Sequence, residues 1–98
     1  MAVAMHMEWP GATAEQYDRL RERVNWEHEP PEGAVLHLAS FTPEGARIVD
    51  VWESEEAFNR FLRDRLMPGV EEVGIQGEPR VQFYLVHALF TPAFAPKG

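Results

Sequence analysis

The stretch Ala46-Arg47-Ile48-Val49-Asp50-Val51-Trp52-Glu53-Ser54 decides how this chain folds. Ala46 to Glu53 reads as a strand, with Val49 and Val51 facing one way and Ile48 and Trp52 the other. Ser54 then offers a helix N-cap. Behind it Ala57, Phe58, Phe61, Leu62, Arg65 and Leu66 mark one helical face, while Glu55, Arg60, Arg63 and Asp64 mostly mark the other. Pro68 stops this helix or begins a short new turn through Val73. Working backward, Thr42-Pro43-Glu44-Gly45 is a hairpin turn, and Ala34 to Phe41 is the strand that feeds it. Working forward, positions 74–77 are loop, and Arg80 to Leu89 reads as the longest and most apolar strand.

The N-terminal third completes the pattern. Val3, Met5, Met7 and Trp9 alternate with Ala4, His6 and Glu8, the period of a strand that Pro10-Gly11 ends. Thr13 and Gln16 have capping-box spacing, and Ala14, Tyr17, Leu20 and Val24 follow at helical intervals. Asn25 to Gly33 contains Pro30-Pro31, which blocks both helix and central strand. The order β-α-β-β-α-β predicts an α+β, ferredoxin-like domain over residues 1–98. Its four-stranded antiparallel sheet has strand order 4-1-3-2 and both helices on one face. Residues 91–98 read as a tail.

Composition narrows the class. With 45% hydrophobic and 26% charged residues, the chain is that of an ordinary globular domain. Nine basic residues stand against sixteen acidic ones, a net charge of −7, the wrong sign for a nucleic-acid binder. The chain has no cysteine, which excludes disulfides, thiolate metal sites and a cysteine nucleophile. No apolar run approaches the roughly 20 residues of a membrane span, and no signal-peptide pattern opens the chain. The expectation is a cytoplasmic protein with neither a membrane nor a nucleic-acid partner.

Two helices can cover only one side of such a sheet, so the other side should carry polar residues. Instead Val81, Phe83, Leu85 and Leu89 would share one face of the last strand, and Tyr84, Val86, Ala88 and Phe90 the other. A second copy packed sheet to sheet would bury the surplus, and a homodimer is expected, with the 91–98 tail contacting the partner. The alternative is a monomer that covers this face with its own tail and the 25–33 loop.

The run from Ile48 to Ser54, followed by Glu56-Ala57-Phe58 and Phe61-Leu62, resembles the strand-to-helix junction of the dimeric α/β-barrel superfamily. It is most similar to the antibiotic-biosynthesis-monooxygenase (ABM) type of small bacterial protein, several of which have no known function. The resemblance implies a pocket between sheet and helices in each protomer. Activities in the superfamily include cofactor-free oxygenation of aromatic polyketides, haem degradation, polyketide cyclisation and muconolactone-type isomerisation. The haem-degrading members resemble one another in a first-strand asparagine; here that strand offers only His6 and Glu8 as polar occupants.

His6, His37 and His87 fall inside predicted strands, and histidine exchanges a proton near neutral pH at small cost. Asp50 is the acid that would orient one of them. The hairpin register leaves the pairing open. A three-residue loop puts His37 opposite Val51, and a four-residue loop puts it opposite Asp50. Trp26, Trp52, Tyr17, Tyr84 and Phe58 are candidate walls for an aromatic ligand, with core packing as the alternative role. Trp26, in the irregular loop, suits a lid. No His-x-His or His-x-x-x-His spacing and no glycine-rich phosphate loop occurs, so neither a metal nor a cofactor is expected. Three functions remain open for a small flat hydrophobic or aromatic ligand. One is cofactor-independent monooxygenation, another is cyclase- or isomerase-type proton transfer, and the third is binding or scaffolding without catalysis.

Overall fold

A computed structural model describes residues 2–94. The elements are β1 (Val3–Pro10), α1 (Ala14–Val24), β2 (Ala34–Thr42), β3 (Gly45–Trp52), α2 (Glu55–Phe61), a π-helical turn (Leu62–Leu66), α3 (Met67–Val73) and β4 (Arg80–Leu85). A short 3₁₀ turn, Pro92–Phe94, comes after them. The four strands form one antiparallel sheet in the order β2-β3-β1-β4, the ferredoxin-like arrangement expected.

Local chemistry sets the helix starts. Gln16 N–H donates to Thr13 Oγ1 at 3.1 Å and Thr13 N–H donates to Gln16 Oε1 at 3.0 Å, a complete capping box. Ser54 Oγ accepts from Ala57 N–H at 3.1 Å and starts α2. Asn25 closes α1 in the left-handed conformation, φ 62°, a role its short side chain tolerates. Pro68 opens a new short helix that runs through Val73, the second of the two sequence readings, with no break in the helical path before it. Met67 N–H bonds back to Leu62 O, the wider π spacing, and Pro68 falls at the start of α3, where its missing N–H costs little. α3 then returns over α1, and the approach is so close that a Cβ on Gly69 would lie 2.7 Å from Val24 Cγ2.

The core lies between sheet and helices. Val3, Met5, Met7 and Trp9 of β1 and Ile48 and Trp52 of β3 face the helices and are buried; Met5 and Phe58 are wholly enclosed. At the hairpin, Thr42 pairs with Gly45, leaving Pro43-Glu44 as the loop, and the ladder carries His37 to a position opposite Asp50. That is the pairing of the four-residue reading, closed by one further rung. Two contacts hold the hairpin in this register. Gly11 N–H donates to Glu44 O at 2.8 Å, and Gly45, at φ +143°, sits where a Cβ would be 2.2 Å from Trp9 O.

Two sequence expectations need correction. β4 has six residues and ends at Leu85, not Leu89. Its last rung pairs Leu85 with Val3, the first residue of β1, so no strand remains for the residues after Leu85 to pair with. Only Val86 N–H reaches further, donating to Ala2 O at 3.0 Å. His87 therefore lies outside the sheet and is exposed. The outer sheet face, moreover, is divided rather than uniformly apolar. At one end Glu8 accepts from Arg47 at 3.3 Å and from Arg80 at 2.8 Å. At the other end Leu38 and Tyr84 are each 51% exposed, and Val49 and Ala4 lie between them. Of the 91–98 tail, residues 95–98 lie outside the described residues. No helix among the described residues is long and apolar enough to cross a membrane.

Candidate functional site

Strand alternation assigns each candidate to a face. On β2, His37, Ala39 and Phe41 point toward the helices, opposite Asp50, Ile48 and Ala46 of β3. β2 is an edge strand that the helices cover only in part, so a cavity of about 700 Å³ opens between it, α1 and the 25–33 loop. Trp26, Tyr17, His37, Asp50, Trp52 and Phe58 all line it. This volume is in the range of small-molecule sites.

A chain of hydrogen bonds runs along the cavity wall. Trp52 Nε1–H donates to Asp50 Oδ2 at 3.0 Å, while Asp50 Oδ1 lies 2.7 Å from His37 Nδ1. His37 Nε2 in turn lies 2.7 Å from the Tyr17 hydroxyl. Asp50 is 5% exposed and has only acceptors to offer when ionised. A neutral His37 must then carry its proton on Nδ1, which leaves Nε2 a lone pair and makes Tyr17 the donor to it. Every buried polar side-chain atom among the described residues has a partner, so the chain holds no orphan.

Aromatic rings enclose the polar chain. Trp26 sits edge-on to His37 with ring centroids 5.4 Å apart and 5.7 Å from Tyr17. Phe41 meets Tyr17 edge-on at 5.7 Å. Deeper in, Trp52 packs on Phe58 and Phe61, each at 5.5 Å. At the mouth Arg21 and Glu27 form a two-pronged ion pair that ties the Trp26 loop to α1. Removal from water pushes the Tyr17 hydroxyl above its ordinary value. Arg21 opposes that rise, and the carboxylates of Glu27, Asp50 and Asp18 add to it. The Arg21 guanidinium holds Glu27 below the usual carboxylate range.

The other candidates lie elsewhere. His6 pairs with Val49 and Gln82 on the outer face, where its ring meets Tyr84 edge-on at 5.2 Å. His6, His87 and Tyr84 are therefore not brought to the cavity. The strand period explains the first and third, and the early end of β4 explains His87. Phe41 and Arg21 were missed as site residues, although each had a signal. Phe41 is two strand steps beyond Ala39 and four from His37, and Arg21 is one helical turn beyond Tyr17. Among the described residues no group of three or more His, Asp or Glu side chains is arranged to hold a metal ion.

The fold is that of the ABM-like monooxygenase-type proteins. A protein of unknown function from Nitrosomonas europaea superposes with a TM-score of 0.70 at 15% identity, over 93% of this chain and 94% of that one. SnoaB, a cofactor-independent oxygenase from Streptomyces nogalater, gives 0.62 at 12% identity, over 90% and 94%. A Streptomyces coelicolor monooxygenase in complex with nanaomycin D gives 0.55 at 20% identity, over 93% and 91%. No protein-family model matches the chain, and no curated protein matches it.

Proposed function

We propose that the cavity binds a small flat aromatic molecule bearing an acidic hydroxyl, and that the protein oxygenates it without a cofactor. The observation that carries this reading is the His37–Asp50 pair at 2.7 Å, set in an aromatic-lined cavity open to solvent. His37 is the base. It takes the proton of a phenol or enol, and the imidazolium that forms faces the Asp50 carboxylate. The electron-rich carbanion passes one electron to dioxygen, and the two radicals recombine at carbon. Loss of water then leaves a carbonyl, so one oxygen atom enters the product, the other leaves as water, and the substrate supplies the electrons. SnoaB and the nanaomycin-bound monooxygenase share the fold and make this chemistry reasonable for it. Trp26, Tyr17, Trp52 and Phe58 serve as walls, and Asp50 fixes the tautomer and orientation of His37.

The functional unit in this reading is a homodimer. A second copy seated on the outer face would cover Leu38 and Tyr84, and the segment after β4 would bring Phe90 into the same interface. Sedimentation should give a dimer at micromolar concentration and a monomer for Leu38→Glu. A wild-type monomer refutes this part.

Oxygen uptake with anthrone, corrected for autoxidation, tests the chemistry. Wild type should consume oxygen and His37→Ala should not. Equal rates for the two proteins sink the oxygenase. Product formed without oxygen moves the assignment to proton transfer of the cyclase or isomerase kind.

A further inference from the structure

We infer that the substrate hydroxyl is met by Tyr17 rather than by His37, and that the site admits hydrogen-bond donors and rejects acceptors. This rests on the cavity being a binding site for a hydroxyl-bearing aromatic compound, the reading proposed above.

The direction of the hydrogen bonds decides it. The chain starts at the Trp52 indole, which can only donate, and meets Asp50, which can only accept. With His37 neutral, Asp50 takes its Nδ1 proton, so Nε2 is left to accept, and it accepts from Tyr17 at 2.7 Å. Each partner's role is thus forced by its neighbour. The Tyr17 proton is committed to His37, and what the hydroxyl still presents is an oxygen lone pair.

His37 Nε2 is already occupied, so a ligand reaches it only through Tyr17. The groups facing the Tyr17 hydroxyl come from four elements: Asp18 and Arg21 on α1, Glu27 on the loop, His37 on β2 and Asp50 on β3. Their sum, with burial, keeps the phenol protonated through the neutral range, which is the state the chain requires.

Proton transfer then has a defined route. The substrate O–H proton passes to Tyr17 Oη as the Tyr17 proton passes to His37 Nε2. Tyr17 ends neutral, His37 becomes an imidazolium beside Asp50, and the substrate is left as its oxyanion. One proton has moved from substrate to imidazole, and no other group has changed. A phenol or enol in its protonated form fits. Its methyl ether, a ketone of the same shape, or the preformed anion offers Tyr17 only a second acceptor.

The test is equilibrium dialysis with β-naphthol and with its methyl ether, on the full chain. In wild type the naphthol should be preferred, and the double variant Tyr17→Phe/His37→Leu, which has neither the hydroxyl nor the ring nitrogen to accept, should lower the ratio of the two affinities about fivefold, the effect of one net hydrogen bond. His37→Leu supplies a change that structural damage would not produce. It frees the Tyr17 proton, so affinity for the ether should rise above that of wild type. An affinity ratio unchanged in the double variant, or ether affinity that does not rise in His37→Leu, overturns the inference and leaves the cavity reading intact. Failure of both compounds to bind wild type overturns the cavity reading and the inference with it.

Discussion

Replacing Asp50 by Asn reverses the polarity of the whole chain without changing its shape. The Asn carbonyl can still accept from Trp52 Nε1–H, now 3.0 Å from Asp50 Oδ2, but its amide group must then donate to His37 Nδ1. His37 shifts its proton to Nε2 and donates to Tyr17, whose own proton turns toward the cavity. Two bonds to a charged acceptor become neutral ones, at a loss of about 1 kcal/mol or slightly more each. The amide is easier to desolvate than the carboxylate, which offsets part of this and leaves a net cost of about 1–2 kcal/mol. For a domain of this size that lowers Tm by about 4–16 °C. Ring-nitrogen NMR shifts of His37, followed up in pH until the ring holds a single proton, read the tautomer directly. Wild type should show the proton on Nδ1 and Asp50→Asn on Nε2. The same tautomer in both proteins, together with an unchanged Tm, would mean that Asp50 does not hold His37, and the mechanism argued from that pair would fall.

Three further outcomes are expected. Trp52→Phe keeps a ring against Phe58 but removes the donor to Asp50; thermal unfolding should show a loss of about 1.5–3 kcal/mol, the range for a hydrogen bond to a charged group. Phe58→Ala removes one of the two most enclosed side chains and should cost about 3–5 kcal/mol in denaturant unfolding. Because Arg21 depresses the Glu27 carboxyl, their bond is fully present above the ordinary glutamate value of 4.5 and lost as pH falls through the lower folded-state value. Trp26 fluorescence should therefore change below that value in wild type and already be changed at neutral pH in Arg21→Ala; a signal identical in both proteins at neutral pH would show that the ion pair does not hold the loop.

How much of the fold and the cavity was legible in the sequence depends on whether neighbours along the chain decide it. Thr13, Ser54 and the Pro43-Glu44 turn are local signals, and the structure obeys each. The strand order follows from the element order alone. The His37–Asp50 pairing was narrowed to two registers and no further, because the choice depends on Gly45 closing against Trp9 and on Gly11 bonding to Glu44, contacts between segments more than thirty residues apart. The length of β4 was overread, since Ala88, Leu89 and Phe90 have strand character but no strand pairing among the described residues, and Val86 reaches only Ala2. Tyr17 was visible as a wall and not as a hydrogen-bond donor, because helical spacing shows which face is covered but not what α1 crosses.

The π turn at Leu62–Leu66 has a consequence for how this chain can change length. It holds one residue more than an α-helical path would need, an insertion the fold has already absorbed. Removing that residue would restore regular helix and leave everything beyond it facing as it does now, because the wider π winding already takes up the extra step. Gly69 would still face Val24, the close approach that lets α3 pack on α1. The chain can therefore lose one residue between Leu62 and Leu66 with α3 still seated on α1, whereas a length change between Asn25 and Gly33 would displace Trp26 and Glu27 from the cavity mouth.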